Sequence, residues 1–566
     1  MRRRRRLRCA LATSALAASA LATACAAAPP ATPERPAAST GSFALVDVAP
    51  RLGLADRRWR GRMRDAKIIA TVGGGVAWGD ADGDGDLDLW LTQGMRHPDR
   101  ALHPANCGTL LRNDGPADAF VAVTAAAGLA AACGWGMGAL FEDLDNDGDL
   151  DLLLTFLGEA QAWRNRGDGS FSRQPLPAAA DGWLTGAAAL DADGDGDLDL
   201  YLSRYLDTDF ATERARPAFA LLPLEAYPPR GDLLLLQERP WEYRAAPEAA
   251  IAAPVGRGLT VVAADFDRDG RPDLYVANDR DRNTLLRGRG DGTFADLSEI
   301  AGAGYGLDGG VEAGMGVAVA DLDGNGWQDL VVTNFAGEPA NLFLDSGGMA
   351  YRDASRESGL YAPSHPWLGW AAIAEDLDDD GRRDLLLSHG HLMPSWVGRV
   401  ARWKGQRELV DATFRGPFRQ PLLLLANAGG RFLPQPVPWA PGVWRGGAAA
   451  DYDGDGRVDV LLYSSDRRTP TRLLHNRTQG SRWLEVRPRR PGAAPPGAGL
   501  EVTVTSDGRA QVAQVVSGGS YLSGSAAPLH FGLGGAPAAA VEAGPLRGAP
   551  RRRFTALPAE RVIVLP

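Results

Sequence analysis

Asp80-Ala81-Asp82-Gly83-Asp84-Gly85-Asp86-Leu87-Asp88 decides the fold, because it recurs six more times in edited form. Position 1 is Asp80, Asp143, Asp191, Asp265, Asp321, Asp376 or Asp451. Position 3 is Asp82, Asp145, Asp193, Asp267, Asp323, Asp378 or Asp453. Position 9 is Asp88, Asp151, Asp199, Asp273, Asp329, Asp384 or Asp459. Position 5 is Asp84, Asp147, Asp195, Asp269, Asp380 or Asp455, with Asn325 in the fifth copy. Position 6 is always glycine, which takes the positive φ of a sharp turn. Position 7 varies freely, as Asp86, Asp149, Asp197, Arg271, Trp327, Arg382 and Arg457. That freedom suits a position whose backbone carbonyl alone is used.

Four carboxylates in one nine-residue turn repel one another; at about 4 Å each pair costs on the order of 1–4 kcal/mol. A hard dication relieves that repulsion and matches oxygen-only donors. Up to seven structural calcium ions are therefore expected, rather than zinc or copper. The fifth site should be weaker, because Asn325 keeps an oxygen and loses a charge. An EF-hand does not fit. It needs a bidentate Glu at position 12, where the first two copies have Leu91 and Leu154, and helical flanks are missing.

Working outward, each loop lies between short apolar runs, such as Val76-Ala77-Trp78 before the first and Leu89-Trp90-Leu91 after it. Runs this short, bounded by Asp and Gly, predict buried strands. Position 2 is apolar in every copy (Ala81, Leu144, Ala192, Phe266, Leu322, Leu377, Tyr452), as if pointing inward. The copies start 63, 48, 74, 56, 55 and 75 residues apart, and about 50 is the length of a four-stranded blade. The expected fold is all-β: a seven-bladed β-propeller over 43–480 followed by a small C-terminal β domain over 481–566. The two long intervals hold insertions at about 203–258 and 389–440.

The first 24 residues read as a signal peptide: Arg2–Arg6 and Arg8, an apolar Leu11–Leu21, then Ala22-Thr23-Ala24. Cleavage there leaves Cys25 first, so a lipid anchor on Cys25 and plain secretion are both open. The predicted location is periplasmic, cell-surface or secreted. Residues 25–42 form a Pro/Ala/Ser linker. Among 60 basic and 70 acidic side chains, the signal takes six arginines, leaving a formal charge of −16. No basic stripe remains for nucleic acid. Cys107 and Cys133, in an oxidising compartment, are predicted to pair as a disulfide.

The loops and their flanks resemble the FG-GAP/VCBS repeats of integrin-like propellers. Ser517-Gly518-Gly519-Ser520-Tyr521-Leu522-Ser523 and Leu529-His530-Phe531-Gly532-Leu533-Gly534 resemble the ASPIC/UnbV domain. Gly314-Met315-Gly316, Gly369-Trp370 and Ser388-His389-Gly390-His391 are likewise similar to the cartilage acidic protein family and its bacterial relatives. The chain departs from that pattern at Val541-Glu542-Ala543-Gly544-Pro545-Leu546. The resemblance implies calcium binding, an extracytoplasmic location and no defined enzymatic activity.

Other constellations carry less. His389 and His391 share a strand face, but no third ligand accompanies them, which favours a packing role. Ser520 lacks the second glycine of a nucleophile elbow and reads as a turn residue. No catalytic set is recognisable. Three functions remain: a binding or adhesion scaffold for a macromolecule or glycan, a propeller-based lyase or phospholipase with its site in the insertions, or an assembly factor acting through the tail.

Overall fold

The computed structural model describes residues 43–59, 68–95, 104–115, 119–216, 222–394, 397, 399–400, 416–488, 499–525, 528–545 and 551–565. The signal, Cys25 and the linker lie outside them. From Thr40 onward the chain is one compact unit.

Each acidic loop closes a β-hairpin in one register. The residue before position 1 pairs with position 9, as in Gly79↔Asp88, Glu142↔Asp151 and Leu190↔Asp199. Ala264↔Asp273, Ala320↔Asp329, Glu375↔Asp384 and Ala450↔Asp459 continue the series. Around each hairpin an antiparallel sheet is built outward. The first runs Val76–Gly79, Asp88–Leu91, Thr109–Arg112 and Val121–Ala122. The fifth runs Val317–Ala320, Asp329–Val332, Asn341–Asp345 and Tyr351–Asp353. In the second, the 15-residue strand Asp151–Asn165 serves as second and third strand together and also pairs with Asp181–Leu190, fusing two blades into one sheet. The seventh, Trp444–Ala450, Asp459–Ser464 and Arg472–Asn476, receives its fourth strand, Leu45–Asp47, from the other end of the propeller. Innermost strands touch in cyclic order, and the seventh returns to the first. Among the described residues the repeats thus form seven modules in a closed ring, a β-propeller.

Position 2 explains the packing between blades. Ala81 lies in the apolar cluster shared by the first two blades, with Trp90, Leu152 and Phe156. Leu144, Ala192, Phe266, Leu322 and Leu377 enter the next five such clusters, and Tyr452 the one joining the seventh blade to the first. The predicted inward direction is therefore toward the next blade.

The tail has its own core, including Leu484, Val502, Val504, Phe531 and Val541. Arg482–Pro488 pairs with Leu529–Gly534 and Arg561–Leu565, while Leu500–Ser506 pairs with Arg509–Gln514 and Ala538–Pro545. The departure at Val541 does not cost the strand. This small domain is nonetheless tied into the propeller, because segment 515–525 fills the centre of the ring. Ser517 and Gly518 pair with Ala263 and Val262, Ser520 bridges to Val317, and Gly524 to Ala77. Ala139 and Ala189 donate backbone N–H bonds to the Leu522 carbonyl (3.3 Å) and Ser517 Oγ (2.9 Å). Ser520 Oγ donates to the Gly447 carbonyl at 2.7 Å. Tyr521 is fully buried, edge-on to Trp370 at 4.8 Å. Every blade touches this plug. Gly518 has φ +79°, and a Cβ there would lie 2.4 Å from the Val261 carbonyl, so both conformation and space demand glycine.

Candidate metal centres

Backbone donors pre-set each loop before any ion is considered. Position 9 accepts from the position-2 N–H and from the end of the third strand. Asp88 takes Ala81 N–H and Asn113 N–H, both at 2.9 Å. Asn165, Gln237, Gly288, Asp345, Asn427 and Asn476 supply the second donor in the other blades. Position 1 accepts from the position-6 glycine N–H, as Asp80 does from Gly85 at 3.0 Å. Several third-strand residues also bond across to the previous blade. The side-chain amides of Asn113, Asn165, Gln237, Asn427 and Asn476 donate to the position-2 carbonyls of Tyr452, Ala81, Leu144, Leu322 and Leu377. Sequence reading missed these residues, although an Asn recurring where a third strand ends was visible.

What the backbone satisfies least is position 3. Asp267, Asp323 and Asp378 accept from the position-5 N–H at 3.0–3.3 Å, whereas Asp82, Asp145, Asp193 and Asp453 each bury an Oδ1 that makes no hydrogen bond of full geometry among the described residues. The Asp145 side chain is only 3% exposed. Carboxylate oxygens of positions 1, 3 and 9 converge to within 4.8 Å in the first three loops, and those of positions 1, 3 and 5 in the fourth. A buried anionic oxygen without a partner is costly, so the arrangement suits a cation. All-oxygen donors at this spacing fit calcium.

Burial also pushes these acids up. Asp88 is raised to about 7, and Asp151, Asp199, Asp329 and Asp459 to about 8. Desolvation is the largest cause, neighbouring carboxylates add to it, and the backbone N–H donors oppose it. Without a metal these groups hold protons near neutrality; an ion must displace them.

The seven loops are not equivalent. Arg164 pairs with Asp145 at 2.7 Å and Asp147 at 3.0 Å, spanning positions 3 and 5 of the second loop. Arg287 does the same to Asp267 (2.6 Å) and Asp269 (3.0 Å) in the fourth. At position 7, Arg271, Arg382 and Arg457 turn back onto Asp269, Asp380 and Asp455, so their side chains offer positive charge rather than a lone pair for a metal. Replacing Arg164 or Arg287 by Leu is expected to tighten calcium binding at that loop several-fold; unchanged calorimetric isotherms would show that the arginines do not compete. Asn325 accepts from Trp327 N–H at 2.7 Å and donates its amide to the Asp345 carbonyl at 2.8 Å. Its nitrogen occupies the place of a second carboxylate oxygen, so Asn325→Asp should raise affinity at the fifth loop, read by the same titration.

The tail docks on the later loops. Gln514 exchanges two hydrogen bonds with the Asp265 backbone, at 3.1 and 3.0 Å. Gly532 N–H donates to Asp376 Oδ2 at 3.1 Å, and His530 Nε2 lies 2.6 Å from Asp379 Oδ1. Elsewhere, His389 Nδ1 sits 2.7 Å from the Pro421 carbonyl and His391 lies edge-on to Phe335, so packing accounts for both. Cys107 and Cys133 form the expected disulfide.

A closed ring of antiparallel blades, each carrying one acidic hairpin loop, with a tail threaded through it, defines the class. A model of the FG-GAP-like repeat matches residues 143–202 and 265–332, and one of ASPIC and UnbV matches 491–542. The chain thus carries FG-GAP-like repeats and an ASPIC/UnbV region. It is similar to cartilage acidic protein 1 of Xenopus tropicalis, with 30% identity over 294 residues, 51% of this chain and 41% of that protein. The Homo sapiens protein of the same name matches at 30% over 294 residues, 40% of its length. The chain thus spans about two fifths of these relatives. A solved structure described as YCF48 bound to D1 peptide covers 74% of this chain and 97% of its own at 9% identity, with TM-score 0.39.

Proposed function

We propose that this is an exported calcium-binding propeller that serves as a scaffold for another macromolecule or a glycan. The observation that carries the calcium reading is the convergence of three carboxylate oxygens to within 4.8 Å of one another in each of the first four loops. Export rests on the basic and apolar start of the chain, and the Cys107–Cys133 disulfide agrees with an oxidising compartment. A cavity of about 710 Å³ lies between the first two loops and the tail, lined by Phe141, Glu142, Arg383, Arg487 and Val516 among others. That is within the size of ligand pockets, about 300–1,000 Å³. Equilibrium dialysis with calcium tests the first half: several ions per chain support the reading, and none overturns it. Intact mass of the native protein tests export and anchoring: an N-terminus at Cys25, lipidated or free, supports it, and a retained Met1 overturns it. Binding of purified envelope polysaccharides with and without calcium tests the second half.

One observation keeps an enzymatic reading in play. The insertions are shorter than the expected 203–258 and 389–440, because Leu233–Arg239 with Glu242–Ala245 and Leu423–Asn427 with Phe432–Gln435 are the third and fourth strands of their blades. What is inserted lies between the second and third strands, at 205–232 and 390–422, of which 217–221, 395–396, 398 and 401–415 lie outside the described residues. Both stretches leave their blade after the second strand, at the end opposite the acidic loop. Depolymerisation of acidic glycans would support it. The assembly-factor reading needs a tail free to be removed. Because segment 515–525 is part of the ring's interior, point substitutions on the tail surface, not its deletion, are the fair test.

A further inference from the structure

The seventh loop differs from the other six in one donor. In each blade one residue of the third strand precedes the group that caps position 9. In order these are Arg112, Arg164, Leu236, Arg287, Leu344, Ala426 and His475. Three arginines can supply charge and three aliphatic residues supply nothing; only the imidazole can ligate a metal. His475 is 7% exposed and lies on Arg472–Asn476, held by the N-terminal strand through Val46↔His475. Its Nδ1 is 3.4 Å from Asp453 Oδ2 and 3.2 Å from Asp459 Oδ1. Ligand atoms of Asp453, Asp455 and His475 all lie within 4.8 Å of one another. Bonds of about 2.0–2.2 Å put neighbouring donors roughly 3–3.5 Å apart, so the spacing already approaches a coordination shell.

A second observation points the same way. Tyr452, 2% exposed, stands edge-on to the His475 ring at 5.9 Å, and its hydroxyl is buried without a partner among the described residues. Asp453 Oδ1 is likewise buried and makes no hydrogen bond of full geometry. Polar atoms around the imidazole are thus left to satisfy.

We propose that the seventh loop is a mixed nitrogen–oxygen site for a first-row divalent cation such as zinc, held by His475 Nδ1 with Asp453 and Asp455. A hard calcium ion gains little from imidazole, whereas zinc takes His and Asp together. The inference rests on the reading of the loops as cation sites, and it separates the seventh from the rest.

The test uses the full folded chain, stripped by chelation and returned to excess calcium, then titrated with zinc by calorimetry. One equivalent of zinc should bind despite the calcium. His475→Gln should weaken it by at least about tenfold, the usual effect of altering a metal site. The calcium-induced rise in Tm, measured in parallel, should be the same in both proteins; its absence would sink the calcium reading and leave the zinc result to stand or fall alone. No zinc binding in calcium, or equal binding by the variant, overturns the proposal. Should His475→Gln not fold, zinc X-ray absorption on the unaltered protein decides. One imidazole nitrogen at about 2.0–2.1 Å supports the site, while an all-oxygen shell or two imidazoles, as His389 and His391 would give, overturns it.

Discussion

Stripping divalent cations is expected to lower the melting temperature, and to lower it more at pH 8 than at pH 5. The position-9 acids carry the effect. In the metal-free fold, burial raises Asp88 to about 7 and Asp151, Asp199, Asp329 and Asp459 to about 8, against 3.8 for an unperturbed Asp. A group whose folded value is raised favours the fold fully below its unfolded value, and that contribution is lost as pH climbs through the folded one. The stripped protein therefore loses stability between about pH 4 and pH 8. Bound calcium keeps the same carboxylates ionised and paired, so its contribution grows across that window. A single ion at a hundred times its Kd stabilises by about 2.7 kcal/mol, and several sites act together. Calorimetric scans of calcium-loaded and chelated protein from pH 5 to pH 8.5 check this. A Tm difference that is zero, or that shrinks as pH rises, would remove calcium from the account of stability.

Tyr521→Ala should destabilise the whole ring, not the tail alone. Its ring is fully buried against Trp370, and the Arg445 guanidinium lies over the Trp370 ring, 4.0 Å from its centroid. Truncating a buried aromatic costs about 3–5 kcal/mol, and the cavity would open where seven inner strands converge. Ser520 and Leu522 on either side hold φ of 47° and 55°, a conformation that only the surrounding contacts maintain. The expected result is a fall in Tm of several degrees together with proteolytic cleavage in both the tail and the propeller. Val564→Ala, on an exposed tail position, is the control and should change neither. Cleavage confined to the tail would mean that the plug is a passenger.

Much of this was legible in the residues. Seven matched copies gave the hairpin, its glycine, the inward position 2 and the oxygen donors, because all of these are settled within nine residues of chain. Cys107 and Cys133 could be paired by elimination, and Ser520 could be recognised as a turn. The ordinary strand patterns at Trp483 and Leu500–Thr505 predict a small β domain, and nothing local reveals that Ser517–Ser525 crosses a channel formed by residues up to 448 positions away, as Gly73 N–H is from the Tyr521 hydroxyl.

The sequence by itself determined that each acidic loop is a cation-seeking turn between buried strands, since register and charge repulsion are local properties. Only the tertiary structure decided how the loops differ. Arg164, Arg287 and His475 reach their carboxylates from a third strand 16 to 22 residues further on. The convergence of carboxylates from positions 1, 3 and 9 becomes apparent only once the strands are paired. Those are contacts across a sheet and around a ring. They follow from strand pairing and closure, which no nine-residue motif encodes.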